Sequence, residues 1–90
     1  MTGNRPISAS CERATLLLEQ EQYAGVLRVL HDAQEQLCDN GNAWQLRGLA
    51  HFALGDYEQA VDALEHASML IPLTTLAQTR LAACYLHVRR

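Results

Sequence analysis

Histidines, cysteines and acidic residues are the side chains in this sequence that could do chemistry. The four histidines, at positions 31, 51, 66 and 87, lack the H-x-x-x-H or H-E-x-x-H spacing that holds a metal ion. The three cysteines, at positions 11, 38 and 84, are odd in number and too far apart for a C-x-x-C site. We therefore expect free thiols buried among apolar residues, no metal site and no cofactor.

Acid–base chemistry has one candidate group of residues, the acidic side chains of a predicted helix. Glu58, Asp62 and Glu65 share a helical face, and paired carboxylates can exchange protons with a substrate. Nothing in the sequence predicts a pocket around them, so we interpret them as a solvated outer face. Ser8 and Ser10 precede the first predicted helix and are typical of N-caps rather than nucleophiles. The sequence therefore predicts a protein that is not an enzyme.

The charge and hydropathy of the sequence argue against nucleic acid and membranes as binding partners. The formal net charge is −3 and no basic patch occurs, which argues against nucleic-acid binding. No apolar run approaches the roughly 20 residues of a membrane span. The first ten residues lack the basic start and apolar core of a signal peptide. We therefore expect a cytoplasmic protein that neither binds nor crosses a membrane.

The elements that position these residues follow from an internal repeat of 34 residues. Shifting the sequence by this period superimposes Tyr23 on Tyr57, Leu30 on Leu64 and Ala33 on Ala67 without a gap. A fixed period of 20–50 residues is typical of a solenoid built from small repeated units. With 90 residues, the chain has room for one small domain.

Within each unit, apolar and small residues recur at intervals of three, four and seven, the spacing of an amphipathic helix. We predict five helices, at about 8–20, 24–37, 42–54, 57–70 and 75–88, and no strands. Gly55-Asp56 and Pro72 are expected to end helices. Gly48 and Ala60 are expected to let two antiparallel helices approach closely. The predicted fold class is all-α, an α-solenoid of antiparallel helix pairs.

Residues 41–74 resemble a tetratricopeptide repeat. The matching features are a tryptophan, a small residue, a turn, and the small and apolar residues of a second helix that stops at a proline: Trp44, Gly48, Gly55, Asp56, Tyr57, Ala60, Leu64, Ala67 and Pro72. Residues 7–40 resemble a weaker copy in which Glu21 replaces the turn glycine, and residues 75–90 resemble a first helix alone. We therefore predict an N-terminal tail at 1–6 and a domain at 7–90 with about two and a half repeats.

The resemblance implies a non-enzymatic module that binds a helix or an extended apolar peptide of another protein in a groove lined by the first helix of each pair. Counting about 100° per residue from Gly48 assigns the groove stripe. Arg80 alone matches the basic set that some members use to clamp a carboxyl terminus, so we expect an apolar partner. The predicted groove residues are Cys11, Thr15, Leu18, Asn42, Gln45, Leu49, Phe52, Thr79, Ala83 and Leu86.

The last predicted helix offers a second surface. Leu81, Ala82, Tyr85 and Val88 are expected on the face that packs on a second helix in the other units. We therefore expect a possible C-terminal interface there, through which the chain self-associates, binds a partner or stacks on a further helix. Two alternative functions stay open: a structural N-terminal segment of a longer repeat protein, and a small secretion-type chaperone that shields an apolar client segment.

Overall fold

The computed structural model describes residues 7–33 and 39–88, together with the side chains from Ser10 onward within them. Five α-helices account for most of these residues: α1 (Ile7–Glu19), α2 (Tyr23–Asp32), α3 (Gly41–Ala53), α4 (Tyr57–Leu70) and α5 (Thr75–Val88). No strand occurs in the described ranges. The prediction of an all-α fold with five helices is confirmed there. The predicted tail at 1–6, residues 34–37 of the second predicted helix, and Cys38 lie outside the described residues.

The turns inside the first two helix pairs are built by the same hydrogen bonds, 34 residues apart. The amide of Gln22 donates to the carbonyl of Leu17, and the amide of Asp56 donates to the carbonyl of His51, both at 2.9 Å. One residue earlier, the amide of Glu21 donates to the carbonyl of Leu18, and the amide of Gly55 donates to the carbonyl of Phe52, both at 3.0 Å. These two bonds and a left-handed residue form the Schellman motif that ends helices. The repeat seen in sequence is therefore a repeat of backbone geometry.

The starts of α3 and α5 also correspond. The side-chain oxygen of Asn40 accepts from the amide of Ala43 at 3.0 Å. The hydroxyl of Thr74 accepts from the amide of Ala77 at 3.2 Å. Each cap satisfies a first-turn amide that has no partner inside its own helix, a contribution of about 1 kcal/mol. Asn40 and Thr74 thus fix where the first helix of two successive units begins.

Helix α3 lies at the centre of the packing and contacts the four other helices. One side buries Ala43, Leu46 and Ala50 against α1 and α2. The Gly48 side faces α4 so closely that a Cβ built on Gly48 would lie 2.5 Å from Cγ of Leu64. The predicted close contact at Gly48 is therefore confirmed, with Leu64 as its neighbour. Ala60, the other small residue expected at this contact, is fully buried in a cluster with Val61 and Cys84.

Two apolar clusters hold the stack together. The first joins α1, α2 and α3 around the fully buried side chains of Val26 and Leu30. The second joins α4 and α5 around Ala60, Val61 and Cys84. Burying one such large aliphatic side chain stabilises a fold by about 1.5–3 kcal/mol. Because the clusters connect successive helix pairs, each first helix is held in place beside the next.

Candidate functional site

The candidate binding surface is the one carried by the first helices α1, α3 and α5. On α1, Thr15 and Leu18 are half-buried, and the Thr15 hydroxyl donates to the carbonyl of Cys11 at 2.8 Å. Cys11 itself is 7% exposed and belongs to the first apolar cluster. Burial raises the pKa of its thiol. The prediction that Cys11 lines a groove is wrong, since α2 and α3 cover it.

Gln45 on α3 is likewise buried, at 5% exposure. Its Oε1 accepts from the amide of Thr74 at 2.9 Å, and its Nε2 donates to Oδ1 of the exposed Asn42 at 3.4 Å. These bonds offset the cost of burying a polar amide. The prediction that Gln45 lines the groove is therefore wrong: Gln45 ties α3 to the segment before α5.

Farther along α3, Leu49 and Phe52 are half-buried and keep part of their surface in water. The Phe52 ring packs edge-on against Tyr57 with ring centres 5.7 Å apart. The guanidinium of Arg80, on α5, lies over the Phe52 ring, 5.1 Å from the ring centre. A cation over an aromatic face is attracted to it. The structure thus brings Phe52 and Arg80 together on adjacent first helices.

On α5, three predicted groove residues remain available to a partner. Thr79 is exposed, and its hydroxyl donates to the carbonyl of Thr75 at 2.9 Å. Ala83 is half-buried, and Leu86 is 82% exposed. We call the accessible members of the predicted stripe the first-helix surface: Thr15, Leu18, Asn42, Leu49, Phe52, Thr79, Ala83 and Leu86.

The predicted C-terminal interface is not an uncovered patch. Leu81, Tyr85 and Val88 are half-buried and pack against the cluster of Ala60 and Val61 on α4. The Tyr85 hydroxyl also donates to a carboxylate oxygen of Glu65 at 2.6 Å. The expectation that these three side chains lie open is wrong, because α5 is rotated so that they face α4. Ala82, between them in sequence, is exposed.

Sequence reasoning missed two stacked aromatic pairs that involve histidine. The rings of Trp44 and His66 stack with centres 4.1 Å apart. The Arg47 guanidinium lies 4.8 Å from the Trp44 ring centre, and partial burial lowers the pKa of Arg47. His87 stacks on Tyr57 at 3.9 Å. These pairs join residues of different helices, so helical spacing within one helix carries no signal for them.

The remaining titratable groups are dispersed. His51 is half-buried, and its Nδ1 lies 3.5 Å from a carboxylate oxygen of Asp56. Across the described part of the chain, no group of three or more histidine, cysteine or acidic residues is placed to hold a metal ion. None of the five helices described above has the length and apolar character needed to span a membrane.

Comparison with protein families agrees with this geometry. Residues 41–73, which span α3, the turn and α4, match the family model described as tetratricopeptide repeat. Residues 41–73 therefore form a tetratricopeptide repeat, as the sequence predicts. Neither the search of curated proteins nor the search of solved structures gave a match. Tetratricopeptide repeats generally mediate protein–protein interaction.

Proposed function

We propose that this protein binds a helix or an extended apolar segment of a partner protein along the first-helix surface. The observation that carries the proposal is the exposure of Leu86, 82% of whose surface faces water on the same surface as Phe52 and Leu49. Apolar side chains left exposed together mark sites where another molecule binds. The polar members of this surface on α3 and α5, Asn42 and Thr79, are uncharged.

The chemistry of the surface favours an apolar partner over a charged one. The guanidinium of Arg80, which borders this surface, already lies over Phe52. A half-buried aromatic ring held by such contacts is a preorganised anchor, because it loses little further freedom on binding. We infer that Phe52 contributes the main contact on α3 and Leu86 the main contact on α5.

Site-specific photo-crosslinking tests this proposal in the source cell. Leu86 and Met69 are matched in exposure, at 82% and 78%, but Met69 lies on the second helix α4. With a benzophenone amino acid at each position in turn, we expect adducts to a partner from position 86 and none from position 69. Equal adducts from both, or adducts from position 69 alone, would place binding elsewhere.

Affinity measurements with the captured partner then test the anchors. We expect Phe52→Ala or Leu49→Ser to weaken binding by about 2 kcal/mol or more, the usual loss when an interface anchor is truncated. Glu58→Ala on the exposed side of α4 is the control and should be near neutral. If Glu58→Ala weakened binding while Phe52→Ala did not, the first-helix surface would be the wrong site.

A further inference from the structure

An asparagine followed directly by a glycine stands at the start of α3. Asn40 is half-buried and caps the helix, with its Oδ1 accepting from the amide of Ala43 at 3.0 Å. Gly41 is the first helical residue and is buried. The backbone nitrogen that follows an asparagine can attack the side-chain amide, and glycine shields that nitrogen least because it has no Cβ. Of the two asparagines in the described ranges, Asn40 is therefore the one suited to this reaction.

The fold has a use for both residues of this pair. A Cβ built on Gly41 would lie 2.8 Å from Cγ1 of Ile71 and 3.0 Å from Cβ of Leu70, so a larger residue lacks room there. Position 40 needs a side chain that accepts a hydrogen bond from the first turn of the helix, and asparagine is among the residues best suited to this. The cap and the close packing of α3 against the end of α4 thus place a reactive pair at this junction.

We propose that Asn40 is the site of a spontaneous modification, deamidation through a cyclic imide, and that the packing of α3 controls its rate. The Gly41 nitrogen gives up its proton to the solvent and attacks Cγ of Asn40. A C–N bond forms, the bond from Cγ to Nδ2 breaks, and ammonia leaves. Water then opens the ring, at Cγ to give aspartate or at the main-chain carbonyl to give isoaspartate. Water is the only co-reactant, and nothing is oxidised or reduced.

The folded backbone holds the reacting atoms apart. Ring closure requires the Gly41 nitrogen to lie on the same side of the Asn40 Cα–C bond as Cβ. At the observed ψ of 104° this nitrogen is turned away from Cβ. Two hydrogen bonds keep the arrangement, one from the Ala43 amide to the side chain of Asn40 and one from the Trp44 amide to its main-chain carbonyl, at 3.2 Å. The pair therefore reacts when the first turn of α3 opens locally.

The two products affect the start of α3 differently. Aspartate keeps an oxygen in the capping position and adds a negative charge at the positive end of the helix dipole, which is favourable. Isoaspartate adds one main-chain carbon before Gly41, which moves Gly41 out of register with Ile71. The modification thus leaves the helix start intact or opens it, depending on which bond water breaks. This inference is independent of the partner binding proposed above.

Peptide mapping by mass spectrometry after incubation at mildly alkaline pH tests the proposal. The full chain is incubated alone and in guanidinium chloride, beside a peptide of residues 39–44 with acetyl and amide ends. We expect the peptide and the unfolded chain to lose the Asn40 amide at similar rates. The folded chain should lose it at least about tenfold more slowly, because the reaction requires local opening. Asn42, which alanine follows, is the internal control and should stay largely intact.

Two matched variants test whether packing at Gly41 controls the rate. Ile71→Ala and Leu27→Ala each remove a half-buried aliphatic side chain, the first beside Gly41 and the second in the cluster of α1, α2 and α3. We expect Ile71→Ala to speed the loss of the Asn40 amide several-fold more than Leu27→Ala does, with both variants folded by circular dichroism. The comparison of the wild-type chain with the peptide needs no substitution, so it decides the proposal even if Ile71→Ala does not fold.

Three results would overturn the proposal. Equal rates in the folded chain and the peptide would show that the fold does not control the reaction. An amide that persists in the peptide and in the unfolded chain would show that Asn40 is not a modification site. Equal acceleration by Ile71→Ala and Leu27→Ala would assign the protection to overall stability rather than to the packing of α3. Asn40→Asp, which has the aspartate product in place, should melt at or above the wild-type temperature and show no further mass change at residue 40.

Discussion

A single backbone conformation distinguishes the first turn of the solenoid from the second. Gly55 adopts a φ of 83° and Glu21, 34 residues earlier, a φ of 61°. Both residues occupy the left-handed position that ends a helix in a Schellman motif. Glycine adopts this region freely, whereas a residue with a Cβ pays roughly 1–2 kcal/mol. The first unit therefore keeps the turn geometry without the residue best suited to it.

We expect Glu21→Gly to stabilise the chain by about 0.5–1 kcal/mol, because relief of the left-handed strain exceeds the added freedom of the unfolded chain. Glu21 is exposed, so little packing changes with the substitution. Urea denaturation followed by circular dichroism measures the difference. Gly55→Glu is the reciprocal change and should destabilise by about 1 kcal/mol. If Glu21→Gly lowered the urea midpoint, Glu21 would have a stabilising role that its backbone angle does not reveal.

At the scale of elements, the pairing of α3 with α4 rests on one close approach. A side chain longer than glycine at position 48 meets Cγ and Cδ2 of Leu64, and the Leu64 backbone nitrogen lies 3.3 Å from the Cβ position. Side chains can rotate away from such a contact, but a backbone atom moves only with its helix. The spacing of the helix pair is therefore set at Gly48.

Gly48→Leu should destabilise the chain by about 1–3 kcal/mol, the usual cost of overpacking a well-packed contact. Ala82→Leu is the matched control, because Ala82 has the same register on α5 but is exposed. We expect its melting temperature to stay close to that of the wild type. A Gly48→Leu variant that melted with the wild type would show that the α3–α4 spacing adjusts freely.

At the scale of the whole molecule, the two edges of the stack differ. At the α1 edge, exposed Glu12 corresponds to the buried Leu46, and Leu16, 58% exposed, corresponds to the fully buried Ala50. The charged residues Glu12 and Arg13 make this edge largely polar. At the other edge, α5 exposes four uncharged side chains, those of Thr75, Thr79, Ala82 and Leu86. The two edges of the described stack therefore differ in charge.

The rotation of α5 predicts a large loss of stability at one residue and almost none at its neighbour. Leu81→Glu should destabilise by about 2–3 kcal/mol, because it places a charge against the apolar cluster on α4. Ala82→Glu should change stability by no more than about 0.5 kcal/mol, as is usual for exposed positions. Thermal melts of the two variants measure the contrast. Equal melting temperatures would mean that α5 has a different rotation from the one described.

The features that could be predicted from the sequence are those formed by residues close together along the chain. Helix bounds, the turns at Glu21 and Gly55 and the caps at Asn40 and Thr74 depend on residues within five positions of one another. The 34-residue period repeats these local signals, so the all-α repeat and the close contact at Gly48 could be predicted. The family-model match confirms the tetratricopeptide repeat over residues 41–73.

The tertiary structure alone decided which predicted site residues are accessible. Gln45 is buried because the amide of Thr74, 29 residues away, satisfies its carbonyl oxygen, and Cys11 is buried because α2 and α3 pack over it. Leu81 and Ala82 were expected on one face, but the docking of α5 on α4 turns only Leu81 toward the core and leaves Ala82 exposed. Burial depends on contacts between distant segments, and a pattern within one helix does not contain that information.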